Sequence, residues 1–237
     1  PLEELYMGYA RSLAAIDEST GRVMDLLERK GILNDTLVVY MGDNGFLWGE
    51  HGLIDKRSMH EPSIRVPLMM HCPELIPAGS VRKQMALNID IAPTFLEAAG
   101  VAVPRGMHGT SLMPVVRNAA AEGRKEFLYE YEWERDFPYT PTIYGIRTER
   151  YSFAQYYGIY DLDELYDIQS DPQQMKNLVG KYKMLPHSRA RLAMRIDDPA
   201  LKKTVDGLQE RMENLLKATG GDPRFAGREI EGAAAAL

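Results

Sequence analysis

Asp43 and Asn44, followed closely by Glu50, His51, Asp55 and Lys56, are the residues of this chain whose types and spacing best suit chemistry. They lie just past residues 36–41, an apolar run with Val-Val-Tyr at its centre. Hard cations such as Ca2+ and Mg2+ take oxygen ligands, and an adjacent carboxylate and amide supply two. Ligands of open α/β sheets bind beyond the carboxyl ends of strands, where such a pair would stand. The local pattern leaves a second reading open, because Asn44-Gly45 is also a type I′ hairpin signal. Against it, residues 46–52 do not alternate as a returning strand would. An ammonium at Lys56 beside a metal would neutralise a sulfate or phosphate oxygen. Taken alone, with Arg57 next to it, Lys56 reads as a solvated surface lysine. His51 would protonate a leaving-group oxygen or bind substrate. Taken alone, it reads more simply as a loop histidine bonded to backbone.

Other reactive types are set in less promising surroundings. His60, His71, His108 and His187 lack metal-ligand spacing to one another and read as structural. Cys72, in His71-Cys72-Pro73-Glu74, has no activating base nearby and reads as a buried cysteine at a strand end. Glu3-Glu4 and Asp197-Asp198 read as solvated helix starts. Residues 161–171 are acidic but lack the alternating ligands of a calcium loop, so a turn region is expected. Trp133, Tyr139, Tyr144, Tyr156 and Tyr157 would suit a sugar cleft, but packing of a sheet is the expected role. There is no Gly-x-Ser-x-Gly elbow, P-loop or dinucleotide fingerprint.

Composition narrows the partners. With 45% hydrophobic and 26% charged residues, the 237-residue chain has ample material for a core. A net charge of −6 and the lack of a long basic run argue against a nucleic-acid partner. No apolar run approaches the roughly 20 residues of a membrane span. A single cysteine excludes an internal disulfide and any multi-cysteine metal site. The sequence opens directly into an amphipathic pattern without an initiator Met or a visible signal peptide, and is expected to be the C-terminal portion of a longer protein.

The elements that must position these residues are readable from periodicity. Leu5, Tyr9, Leu13, Ile16, Val23 and Leu27 form one stripe of a helix over residues 3–30, with Gly31 as its stop. Residues 36–41, apolar on both faces, fit a buried strand in a helix-covered sheet, and residues 66–71 a second. Residues 88–91 are expected to end another strand, with Pro93 opening a helix through Ala99 and Gly100 ending it. Residues 101–123 read as irregular. From about Arg124 the pattern changes. Residues 127–134, 142–147 and 150–157 read as an antiparallel sheet open to water on one face. A helix over residues 199–219 follows, with Leu201, Val205, Leu208, Met212 and Leu215/Leu216 on one face, and then a frayed Ala-rich tail. This gives an α/β part, 1–123, and an antiparallel-sheet subdomain with a terminal helix, 124–237.

Five stretches in series carry a family resemblance. They are AAIDESTGRVMDLLERKGILNDTLVVYMGDNGFLWGEHG, DKRSMHEPSIRVPL, NIDIAPTFLEAAGVAVPRGMHGTSLMPVV, IYGIRTERYSFAQYY and ELYDIQSDPQQMKNL. In this order they resemble the second half of the formylglycine-dependent sulfatases. The resemblance implies an α/β fold, an alkaline-phosphatase-like sandwich in part, with a small C-terminal antiparallel sheet and a terminal helix. It implies that Asp43 and Asn44 ligate a metal, Ca2+ or possibly Mg2+, that Lys56 contacts the sulfate, and that His51 stands near the substrate. It also implies a sulfated small molecule or glycan as substrate and a periplasmic or secreted location. The family's Cys/Ser-x-Pro/Ala-x-Arg maturation motif does not occur here, so the formylglycine and the first-half ligands are expected in a missing N-terminal half. The fragment alone is expected to be inactive and to bind metal weakly. That missing half, or another copy of the chain, is the expected partner. A phosphonate or phosphodiester hydrolase of the same superfamily, or a non-catalytic binding domain, are the alternatives.

Overall fold

The computed structural model describes residues 1–157, 163–179, 182–184, 192–194 and 196–221. The chain sorts into two units: Pro1–Asp55 with Arg65–Arg124, and Lys56–Ile64 with Lys125–Leu237.

The first unit opens with helix α1 (Leu2–Arg29). It ends where Gly31 takes a φ of 67°. There the Gly31 N–H donates to Glu28 and the Ile32 N–H to Leu27, the paired bonds of a Schellman stop. The expected apolar stripe forms, yet no residue of α1 is buried. Strand β1 (Val38–Met41) is followed by the short strands β2 (Leu47–Trp48) and β3 (Ile54–Asp55), which pair as an antiparallel hairpin. Helix α2 (Glu61–Ile64) belongs to the second unit. Strand β4 (Leu68–His71) returns to pair antiparallel with β1, Val39 opposite Met70. Because these two strands alone make their sheet among the described residues, all of β1 is half-buried rather than enclosed as its composition suggested.

Residues 88–91 do not end a strand. Asn88–Asp90 form a 3-10 turn leading into α3 (Ile91–Ala98). The buried Asp90 carboxylate explains the difference. Its Oδ2 accepts from the Leu87 N–H at 2.9 Å, and its Oδ1 accepts from the Thr110 N–H at 2.7 Å and from Arg124 at 2.6 Å. Such side-chain bonds to backbone compete with extended pairing. Within 101–123, read as irregular, Met113–Arg117 form a helical turn, α4, that buries Met113, Val115 and Val116.

The second unit is built on the antiparallel sheet β5 (Glu126–Tyr131), β6 (Thr142–Thr148), β7 (Tyr151–Tyr157) and β8 (Glu164–Asp167), in that order. Strand β8 occupies part of the region expected to be a turn; residues 161 and 162 lie outside the described residues. Strands β9 (Tyr182–Met184) and β10 (Leu192–Met194) pair with each other. Helix α5 (Pro199–Ala218) starts where the Asp198 carboxylate accepts from the Ala200 N–H at 2.8 Å. Val205, Leu208, Met212 and Leu216 of α5 pack on Tyr144, Ile146, Phe153 and Leu165. The opposite face was expected to meet water. Instead Met59 packs there on Ile143 and Ala154, so the middle strands are covered on both sides. Gly145 makes this possible, since a Cβ there would collide with the Met59 sulfur and stand 2.8 Å from the Phe153 carbonyl oxygen. The Ala-rich tail and His187 lie outside the described residues.

Candidate metal and anion site

The strand-end pair is placed by β1. At Gly42 the backbone N–H donates to the Pro67 carbonyl at 3.3 Å, and the chain then leaves the sheet. Asp43 and Asn44 follow, both exposed. Asp43 Oδ1 accepts from the Asn44 N–H at 2.9 Å, and Asn44 Nδ2 donates to the Gly45 carbonyl at 2.8 Å. The Asn44 nitrogen is thereby committed to backbone, which leaves the amide oxygen as the atom with ligand chemistry. A type I′ turn needs positive φ at both central residues. Neither Asn44 nor Gly45 has one, and β1 pairs with β4, so the hairpin alternative is excluded.

His51 sits at the tip of the β2–β3 hairpin, inside the 3-10 turn Glu50–Gly52. Its backbone is left-handed, at φ 56° and ψ 17°. For a residue with a Cβ this conformation is strained by roughly 1–2 kcal/mol. Three contacts hold the tip. The fully buried Leu47 pairs with Asp55, the Gly49 N–H donates to Leu53 at 2.9 Å, and Glu50 Oε2 accepts from the Trp48 N–H at 2.5 Å. Tyr6, Tyr9 and Phe46 pack their rings around Trp48 at 4.7–5.4 Å between centroids.

Lys56 follows β3 directly but falls in the second unit, so Asp43, Asn44 and His51 share one unit and Lys56 starts a segment of the other. Lys56 is exposed, and the Ser63 hydroxyl donates to its carbonyl. Arg57 next to it lies over the Phe137 ring, 3.3 Å from the centroid, with its Nε 3.7 Å from Glu134. Among the described residues no group of three or more His, Cys, Asp or Glu could hold a metal ion. Calcium takes six to eight oxygens. Asp43 and Asn44 alone would supply only part of such a ligand set.

The remaining candidates settle as packing. Cys72 is buried, with its Sγ 3.5 Å from the Asn34 carbonyl. His60 is buried between Ser58, at 3.2 Å, and Glu164, at 3.6 Å. Tyr144 is core, Tyr156 and Tyr157 pack partly buried on the sheet, and Trp133 and Tyr139 are 43% and 84% exposed. Three tyrosine hydroxyls donate to glutamates: Tyr131 to Glu134, Tyr144 to Glu132 and Tyr156 to Glu164. Burial first, then the adjacent carboxylate, pushes all three above their ordinary value, Tyr131 to about 12. They serve as neutral donors. Glu61, Ser63, Arg147 and Gln174, which fix the Lys56 segment, carry no sequence signal, because their partners are up to 113 residues away.

A fold made of an α/β unit and an antiparallel-sheet unit is shared with solved hydrolases of sulfate and phosphonate esters. The structure of BT4656 in complex with its substrate D-glucosamine-2-N,6-O-disulfate superposes with a TM-score of 0.75 at 36% identity, over 88% of this chain and 39% of that one. The phosphonate monoester hydrolase of Agrobacterium radiobacter shares the fold at a TM-score of 0.69 and 22% identity, over 92% of this chain and 42% of that one. The N-acetylglucosamine-6-O-sulfatase of Bacteroides thetaiotaomicron is 37% identical over 222 residues, 87% of this chain and 39% of the relative. The chain thus spans about two fifths of that relative's length. The family model described as N-sulphoglucosamine sulphohydrolase, C-terminal, matches residues 49–215. This chain belongs to the sulfatase family, and its α/β, alkaline-phosphatase-like fold is the C-terminal part of that architecture.

Proposed function

We propose that this chain supplies part of the active site of a sulfuric ester hydrolase acting on a sulfated sugar. The observation that carries the reading is the exposed Asp43-Asn44 pair beyond the carboxyl end of β1 in a chain of this family. Asp43 Oδ and Asn44 Oδ1 would hold Ca2+, or Mg2+, together with ligands from elsewhere. When bound, the cation supplies charge against the sulfuryl oxygens. In the role the family resemblance gives it, a Lys56 ammonium would take a share of the charge that develops on a sulfate oxygen as the S–O bond breaks. His51, held at a fixed tip, gives a proton to the departing sugar alkoxide. The products are the free sugar hydroxyl and sulfate. The nucleophile of this reading is a hydroxyl of hydrated formylglycine, the hydration supplying the water that the hydrolysis consumes; the maturation motif for that residue does not occur in this sequence. A glucosamine 6-O-sulfate is the substrate class best supported, from the substrates named for the relatives.

The test is turnover by the whole enzyme on 6-O-sulfated glucosamine beside a phosphonate monoester. Sulfate release is expected, with Lys56→Ala lowering kcat/KM by about 10²–10³-fold. Phosphonate cleavage without sulfate release would assign the chain to the sister hydrolases. No turnover of either would leave a binding domain.

A further inference from the structure

The nine residues Lys56–Ile64 lie between elements of the first unit in sequence but belong to the second. Three contacts embed the middle of this segment in that unit. Met59 is buried over Gly145. Glu61 Oε1 accepts from Arg147 Nε at 2.6 Å, with both side chains about nine-tenths buried, at 14% and 13% exposure. The Glu61 N–H donates to Gln174 Oε1 at 2.6 Å. Gln174 is 2% exposed and keeps a left-handed φ of 55°, a strain that only the surrounding contacts sustain.

The fourth contact returns to Lys56. Glu61–Ile64 form one helical turn, which carries the buried Ser63, and the Ser63 hydroxyl donates to the Lys56 carbonyl seven residues back. A lysine ammonium on four rotatable carbons is aimed no better than the backbone it leaves. We propose that Ser63 is a positioning residue for Lys56, and that the Glu61–Arg147 ion pair and Gln174 hold Ser63 in register. The antiparallel-sheet unit thereby fixes where a substrate-facing charge originates, without touching substrate itself. This rests on the role given to Lys56 above.

A double-mutant cycle in the whole enzyme separates positioning from packing. Ser63→Ala, Lys56→Ala, Arg147→Lys and the two double variants that include Lys56→Ala are compared for kcat and KM on a sulfate ester, with thermal unfolding recorded for each. Ser63→Ala is expected to lose about tenfold in kcat/KM, mostly in kcat, as a misaimed charge does. Once Lys56 is alanine, adding Ser63→Ala or Arg147→Lys is expected to change turnover by less than about twofold, because coupled residues are not additive. Arg147→Lys keeps the charge but not the guanidinium geometry, and carries the test if Ser63→Ala does not fold. Losses that multiply in the double variants, or Ser63→Ala at full activity, would overturn the positioning role while leaving Lys56 in place. Full sulfate release by Lys56→Ala would instead overturn the assignment of Lys56, and this inference with it.

Discussion

His51 holds a backbone conformation that a glycine would adopt without strain, between two glycines that also have positive φ, Gly49 and Gly52. Strain of this kind persists where a side chain is needed at that point. His51→Gly is therefore expected to leave stability unchanged or raise it by up to about 1 kcal/mol, while sulfate release by the whole enzyme falls by about 10²-fold. Destabilisation with activity retained would contradict a functional histidine. The tyrosine–glutamate pairs give a second test. Tyr131, Tyr144 and Tyr156 have folded-state values above the unfolded one, so the folded state holds their protons longer. Their contribution is complete below about pH 10 and is lost as pH rises toward 12 and beyond. The tyrosinate absorbance of these three should therefore appear late and together with loss of folded signal, as the difference between the native protein and its Tyr131→Phe, Tyr144→Phe and Tyr156→Phe variants; their titration near pH 10 in a still folded protein would contradict it. The position of Asp43 and Asn44 beyond a strand end was legible because a strand end is a local pattern. The strain at His51 was not, because it arises from the pairing of Leu47 with Asp55 and not from the residues themselves.

At the scale of elements, Gly145 and Asp198 do defined work. Gly145→Ala drives a methyl into the Met59 sulfur and toward the Phe153 carbonyl oxygen, and is expected to destabilise by about 1–3 kcal/mol in denaturant unfolding. Asp198→Ala removes the cap of α5 and should lower stability by about 1 kcal/mol in denaturant unfolding. The long elements were readable, since α1, α5 and β5 to β7 each repeat a period over many residues. Short elements were not. Asp90 turns residues 88–91 away from a strand through partners at Thr110 and Arg124, and β8 mixes acidic and apolar residues over four positions.

At the scale of the molecule, the two units differ in how they are held. The second has a core of nine buried residues between its sheet and α5, whereas α1 of the first buries none. Hydrogen exchange should thus find the β6 and β7 amides slowest and α1 among the fastest; equal protection would contradict the difference. The excursion of Lys56–Ile64 into the second unit was invisible in sequence, because it depends on Arg147 and Gln174, remote in the chain. In its proposed role Asp43 brings a cation to a sulfate ester. The most direct measurement is sulfate release by the whole enzyme against Ca2+ concentration, for the native protein and for Asp43→Asn and Asp43→Ala. Both variants are expected to lose turnover and to need far more Ca2+ for what remains, with Asp43→Ala the worse. Native turnover and native Ca2+ dependence in Asp43→Ala would contradict it.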